Sequence, residues 1–313
     1  MNLLSIVVPV YGVEPWIRRC LSSIVDQPEF KRCCELIIVD DGSPDRSVEI
    51  AKEVCGSAPN IHLIRQANQG LGAARNTGAA AASGQFLWFV DSDDWLTPEG
   101  LPRVVLALER DPDLDALNIE YAMSNGSHSV VINRADPNTV YEGLDYLSRS
   151  IVESPVQYYV WSTAHYRNYR LHFESDLYHE DTLFTPIALF YARRVRRLAV
   201  DCYVYNLREG SIMSSGKTFK HAMDMVDIVN RLESFRATVQ TRGTCVLAKY
   251  SAIAVGGIYF YWKKLSPEEK VILAKRLSLL RLVRPVLRSG RLKYLLSIIH
   301  INLSFALGIV ARR

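Results

Sequence analysis

The sequence predicts an α/β fold: a mainly parallel sheet flanked by helices, followed by a helical C-terminal region. Three observations carry this. Short apolar runs at Leu3–Val8, Leu36–Val39, Ile61–Ile64 and Phe86–Val90 recur through the first hundred residues. They are nearly continuous rather than alternating, as expected of strands covered on both faces. Stretches with helical spacing lie between them, and strand–helix alternation with short loops builds a parallel sheet.

Taken in order, the opening "MNLLSIVVPVY" lacks the basic segment and small-residue cleavage site of a secretory leader and reads as a strand. Ile17, Cys20, Leu21 and Ile24 recur on one face of a helix. The second strand runs into "DDGS", and the turn at Ser43–Asp45 caps a helix whose face carries Ile50, Ala51 and Val54. After the third strand, alanine-rich sequence predicts a helix over Leu71–Ala82, suited to close packing on the sheet. The fourth strand stops at "DSDD", Asp91 to Asp94. From 97 to 205 the pattern is less regular. One further helix follows "HED", with Leu183, Phe184, Ile187, Ala188 and Tyr191 on its apolar face, which places Pro186 in its first turn. The loop-like "REGSIMSSGK" at 208–217 marks a boundary. The expected organisation is one domain over 1–210, with halves 1–97 and 98–210, and a helical, basic region over 211–313.

The charge is uneven. The chain holds 37 Lys and Arg against 33 Asp and Glu, but ten of the basic residues and none of the acidic ones follow Glu269. The first 269 residues are therefore acidic on balance and the last 44 strongly basic, which implies different partners. Six cysteines lack CxxC or Cys/His spacing, so neither a zinc site nor a disulfide framework is expected, and a reducing compartment follows.

Ligands of open α/β sheets bind at the carboxyl ends of strands. Two acidic clusters fall there: Asp40–Asp41 after Val39, and Asp91, Asp93 and Asp94 after Val90. If their strands are neighbours, both open onto one crevice. Carboxylates at one point repel unless a cation joins them, and hard oxygen ligands suit Mg²⁺ or Mn²⁺ when substrate phosphates complete the shell. The bland alternative is an ordinary acidic turn. "GLGAAR" at 70–75 approaches the dinucleotide fingerprint, but Arg75 stands where a small residue is needed and the motif follows the third strand.

"SIVVPVYGVEPWIRRCLSSIVDQ", "LIIVDDGSPDRS", "NQGLGAARNTGAAAASGQFLWFVDSDDW" and the later "HED" resemble, in order and spacing, the inverting family 2 glycosyltransferases of GT-A fold. The motifs cover residues 5–95 and 179–181. The resemblance implies a nucleotide-diphospho-sugar transferase. Pro9 and Tyr11 would line the nucleotide pocket, and Asp41 would accept the base N–H, which suits uracil. Arg75 would border the diphosphate. Asp93 would ligate the metal directly, with Asp91 nearer the ribose and the metal's waters, and Asp181 would be the catalytic base. Arg208 and Ser211 resemble a loop closing over the donor diphosphate. Two departures stand out: Gly12 replaces the usual Asn, and "VWSTAHYRN" at 160–168 lacks the usual Lys, leaving Trp161 as either an acceptor-sugar platform or a core residue.

The chemistry that follows is metal-dependent transfer of a sugar from a nucleotide sugar, UDP-linked, to a glycan or lipid-linked acceptor in surface polysaccharide synthesis. A nucleotide-dependent oxidoreductase and a non-catalytic nucleotide-sugar binder are the alternatives. In the tail, Arg281, Arg284, Arg288 and Arg291 share a helical stripe, and Tyr294–Val310 is apolar but interrupted by Ser297, His300, Asn302 and Ser304. Seventeen residues sit at the short end of the ~17–25 needed to span a bilayer. The segment fits a helix on a membrane surface or in a core. The stripe lacks aromatics and any nucleic-acid module, so nucleic acid is not an expected partner. The expected location is cytoplasmic, peripheral on the inner face of the cell membrane.

Overall fold

The structure is a computed structural model. It describes residues 2–127, 133–149, 155–208, 218–239 and 244–276. Ser211 and the tail from residue 277, with its arginine stripe and its 294–310 segment, lie outside them. The described chain forms two compact units, one of residues 1–176 and 187–208, the other of 177–186 and 209–313. The division falls inside a helix of the expected 98–210 half.

The first unit is built on an eight-stranded sheet of order β3-β2-β1-β4-β7-β6-β8-β5. β1 (Leu4–Val10) and β2 (Cys34–Asp40) are buried along their whole length. This is why their sequences are unbroken apolar runs. β3 (Ile61–Arg65) is one of the two edge strands, and its exposed His62 and Arg65 suit that position. β4 (Phe86–Phe89) pairs in parallel with β1 on the opposite side from β2. The two acidic clusters therefore stand at the ends of strands separated by β1 rather than of direct neighbours. The order reverses at β1, and that reversal opens the crevice at the carboxyl ends.

The helix α1 (Ile17–Val25) carries the predicted apolar face, and α4 (Leu71–Ala81) ends one residue short of its predicted span. Ile17, Cys20, Leu21 and Ile24 of α1 are fully buried. The intervening sequence also forms α2 (Pro28–Cys33), which the apolar spacing did not reveal. In α3 (Ser47–Cys55) the buried face is Ser47, Val48 and Ala51, with Ile50 and Val54 only half-buried. The reason is local: Ser47 Oγ accepts a hydrogen bond from Val13 N at 2.9 Å, turning the first residue of the helix inward. In α4, Gly78 lies so close to β1 that a Cβ there would come within 2.3 Å of Val7 Cγ1.

The irregular middle of the sequence supplies the rest of the sheet. β5 (Trp95–Leu96) is followed by α5 (Gly100–Arg110), β6 (Ala116–Met123), α6 (Gly143–Arg149), β7 (Tyr159–Ser162) and α7 (Thr163–Asn168). β7 runs antiparallel to both β4 and β6, while β6 pairs in parallel with β8 (Val195–Tyr205). Trp161 lies opposite Leu87 and is wholly buried, so it is a core residue and not a sugar platform.

The helix α8 (Glu180–Tyr191) begins three residues earlier than its apolar pattern suggested. Pro186 is thus in its interior rather than its first turn, where a backbone N–H is lost from the ladder. The second unit holds the start of α8 together with α9 (Thr218–Val239), α10 (Thr244–Trp262) and α11 (Pro267–Arg276). α9 buries Ala222, Val226, Ile228, Val229 and Leu232, and α10 buries Leu247, Tyr250, Val255 and Ile258. Cys245–Trp262 is long and apolar enough to cross a membrane, and just over half of it is buried inside the protein. All six cysteines are unpaired.

Candidate functional site

The site in the first unit grows from the ends of β1, β2 and β4. Pro9 is buried within β1, and Tyr11, just past it, is 52% exposed. A large aromatic ring left open at the switch point is what a planar base can stack on. Gly12 follows with φ +63°. Only Gly and, to a lesser degree, Asn and Asp adopt that backbone readily, so Gly in place of Asn keeps the turn.

Asp40 and Asp41 are both buried but point to different tasks. Asp40 accepts from Ser43 N at 2.8 Å and from Arg65 Nε at 3.0 Å, fixing the turn after β2. Asp41 accepts from Gln66 Nε2 at 2.7 Å, Gln69 N at 2.9 Å and Gly70 N at 2.8 Å. Three donors leave one of a carboxylate's roughly four acceptor positions for a ligand N–H. Gly70, at φ +91°, is the turn that aims its own N–H at Asp41 and starts α4. "GLGAAR" is therefore the loop that Asp41 organises and the first turn of a helix packed tightly on the sheet.

The acidic turn after β4 answers how three carboxylates tolerate one another. Each has its own partner. Asp91 pairs with Arg75 of α4 at 2.6 Å, Asp93 with Arg208 at 2.6 Å, and Asp94 accepts from Tyr203 Oη at 2.6 Å and Asn206 N at 2.7 Å. Two arginines thus take up part of the charge that sequence reasoning assigned wholly to a metal. Arg75 is 2% exposed, and Arg208 stacks over Trp16 at 4.2 Å. Tyr203 is set by ring contact with Tyr158, itself stacked on Tyr121 at 3.8 Å. Its hydroxyl also accepts from Asp91 N at 3.2 Å. Arg19 lies 3.3 Å over the ring of Trp95, joining α1 to the same turn.

The compensation is incomplete. Burial, then the charge of Asp91, hold the Asp93 carboxyl above its ordinary range even against Arg208. Burial, then Asp91 and Asp93, raise Asp94 well above it. Among the described residues no three of His, Cys, Asp and Glu form a ready metal cage. The carboxylates fit instead the mode in which one or two of them share a Mg²⁺ or Mn²⁺ with substrate phosphates.

The structure thus brings Arg75, Asp91, Asp93 and Arg208 together in one unit, with Pro9, Tyr11 and Asp41 at neighbouring strand ends. Asp181 belongs to the other unit, half-buried in the first turn of α8, its Oδ1 accepting from Thr182 N at 2.7 Å. Sequence reasoning saw Asp94 only as a member of the acidic cluster and missed Tyr203, Asn206 and Trp16. Asp94 was visible as a third acid, whereas Tyr203 gave no signal because its partner is 109 residues away.

The profile of the family described as "Glycosyl transferase family 2" matches residues 5–172, which takes in the whole of this strand-end site. The chain belongs to that family. The glycosyltransferase YibD of Escherichia coli is 31% identical over 219 residues, 67% of this chain and 63% of its own length. The glycosyltransferase EpsJ of Bacillus subtilis is 34% identical over 231 residues, 71% of this chain and 65% of its own. The chain therefore spans a little under two thirds of these relatives. The solved structure of Staphylococcus aureus TarS 1–349 in complex with UDP-GlcNAc superposes with a TM-score of 0.69 at 22% identity, over 98% of this chain and 92% of that one. The fold is accordingly the GT-A type that the motifs implied. Membership of this family counts against the oxidoreductase alternative, and the N–H of Gly70 that opens "GLGAAR" is already taken up by Asp41.

Proposed function

We propose that this family 2 glycosyltransferase moves a sugar from a UDP-linked donor to a glycan or lipid-linked acceptor, with inversion and with Mg²⁺ or Mn²⁺ as cofactor. The single observation that carries the reading is the turn after β4, where two arginines and two partly open carboxylates meet at the carboxyl edge of a parallel sheet. Such a set suits a diphosphate: cationic donors for its oxygens and carboxylates for a shared ion. Tyr11 would stack on the base, and the remaining acceptor position of Asp41 would take the uracil N–H.

Transfer needs a base for the acceptor hydroxyl, attack opposite the leaving group, and neutralisation of the departing diphosphate. Asp181 would take the proton. Its place in the first turn of α8 favours the ionised form, by about 0.3–1 kcal/mol in exposed settings. Arg75 and Arg208 would hold the diphosphate, Arg208 exchanging Asp93 for phosphate oxygens. Asp93, with Asp91, would hold the metal, which when bound supplies further electrostatic stabilisation of the leaving group. The proposed role is in surface polysaccharide synthesis at the cytoplasmic face of a membrane; the polysaccharide part is supported by the name of TarS, a poly(ribitol-phosphate) β-N-acetylglucosaminyltransferase 28% identical over 222 residues.

The test is a panel of nucleotide sugars scored by released diphosphate, with and without chelator. Release from UDP-sugars that chelator abolishes and Mn²⁺ restores is expected. Turnover indifferent to chelator would remove the metal, and an Asp181→Ala protein as active as wild type would remove the base.

A further inference from the structure

The residues ahead of Asp181 are held in an unusual way. His179 has φ +62°, in the left-handed region. For a side chain other than Gly this is disfavoured by about 1–2 kcal/mol. Backbone of that kind persists only where its surroundings over-determine it. Here they do. The Nε2 atom of His179 lies 3.0 Å from His221 Nδ1 of α9 and 3.1 Å from Tyr261 Oη of α10, both within hydrogen-bond range. The ring of His221 stacks on Tyr178 at 4.6 Å and on Tyr261 at 5.2 Å. One turn along α9, Asp224 Oδ2 accepts from Tyr178 N at 2.8 Å, and Lys220 Nζ donates to the same carboxylate at 2.8 Å. The carbonyl of His179 in turn accepts from Thr182 N at 2.9 Å, closing the first turn of α8 with Asp181 inside it.

We propose that His179, His221, Tyr261 and Asp224 form a clasp through which the C-terminal helical unit positions the carboxylate of Asp181 for proton abstraction. The proposal rests on the reading of Asp181 as the base. All of these residues lie in the second unit. Two helices therefore grip the two residues that precede the turn carrying the base. His221 and Asp224 are 1% and 5% exposed. The Lys220–Asp224 ion pair within the cluster is by itself a weak indication of a stabilising role, since apolar residues of the same volume often serve as well. What hydrogen bonds add is direction: they fix the His179 ring, hence its φ, hence the path of the chain into α8. Displacing a reacting group by about 1 Å can lower turnover on the order of 10²-fold. His179, His221, Tyr261 and Asp224 are thus positioning residues; none is assigned contact with substrate. Burial lowers the His179 pKa to about 4, so the clasp works with a neutral ring above that pH.

The experiment uses the full chain and four variants. His179→Gly keeps the left-handed backbone and removes the ring. His179→Asn keeps both a tolerated φ and a polar side chain. Tyr261→Phe removes one hydroxyl, and Asp181→Ala is the reference for loss of the base. UDP release from UDP-glucose and UDP-N-acetylglucosamine is followed with water as acceptor, and UDP itself is the binding probe. His179→Gly and Tyr261→Phe are expected to lower kcat about 10- to 100-fold with donor KM and UDP Kd unchanged within twofold, and His179→Asn to recover most of the loss. Wild-type kcat in either His179→Gly or Tyr261→Phe overturns the clasp, as does a loss appearing in KM and UDP Kd instead of kcat. If Asp181→Ala is inactive while His179→Gly is fully active, only the clasp fails. If Asp181→Ala is active, the assignment of the base fails.

Discussion

Tyr203→Phe removes one oxygen atom from the base of the acidic turn and should weaken the protein measurably. Tyr203 is fully buried, and its hydroxyl is one of two groups donating to Asp94, a carboxylate that is 2% exposed. A hydrogen bond to a charged group contributes about 1.5–3 kcal/mol, and leaving a buried acceptor short of a donor places the loss at the upper end. The N–H of Asp91, 3.2 Å from the same oxygen, loses its acceptor as well, for roughly 0.5–1 kcal/mol. About 3.5–4 kcal/mol in total corresponds to a fall in Tm of roughly 7–16 °C for a unit of about 200 residues. Thermal and urea unfolding of wild type, Tyr203→Phe, Asp94→Asn and the double variant measure it. The two single changes act on the two ends of one hydrogen bond, so they should be non-additive by roughly 1.5–3 kcal/mol. A Tyr203→Phe protein within 0.5 kcal/mol of wild type, or strict additivity in the cycle, would refute the view that this hydroxyl secures the turn.

Gly78→Ala places a methyl 2.3 Å from Val7 Cγ1, inside a fully buried strand. Destabilisation of about 1–3 kcal/mol is expected, read as a lower urea midpoint at unchanged slope. Arg208→Ala should weaken UDP binding about tenfold or more, near 1.4 kcal/mol, seen by titration calorimetry, and should also lower the melting temperature, because the partly buried Asp93 loses its ion-pair partner. Acid should weaken the fold through His179, whose pKa is about 4 in the protein against about 6.5 unfolded. Below pH 6.5 the unfolded chain takes up a proton that the folded one refuses until pH 4. Stability is therefore whole above 6.5 and falls by about 3 kcal/mol across that window. The ring faces His221, Tyr261 and Asp224, with Lys220 behind the last; Asp224 opposes the shift without cancelling it. Urea unfolding at pH 7.5 and 5.0 should show a steeper loss for wild type than for His179→Asn; equal losses would contradict the assignment.

Much of the strand-end site was legible because local chemistry writes it into short stretches. β1, β2 and β4 are buried on both faces and so must be apolar without interruption, and the acids that follow them mark the carboxyl edge. The roles of Gly70 and Gly78 were not legible: the left-handed backbone of one and the lack of room for a Cβ at the other come only from the structure. β6 and β8 were not legible. Their residues mix Asn118, Glu120, Arg196 and Arg197 with apolar ones, because Glu120 and Arg197 pair across the parallel ladder and a charge with a partner need not be excluded from a sheet.

The sequence alone decides which residues can bind a diphosphate, since carboxylates, arginines and strand-end turns are properties of short segments. The tertiary structure decides which of them meet. Arg75 and Arg208 reach Asp91 and Asp93 across 16 and 115 residues, and Asp181 falls in the helical unit, where His221 and Tyr261 hold its approach. No periodicity records such pairings, because they are set by the order of strands in the sheet and by helices that pack only after the chain has closed.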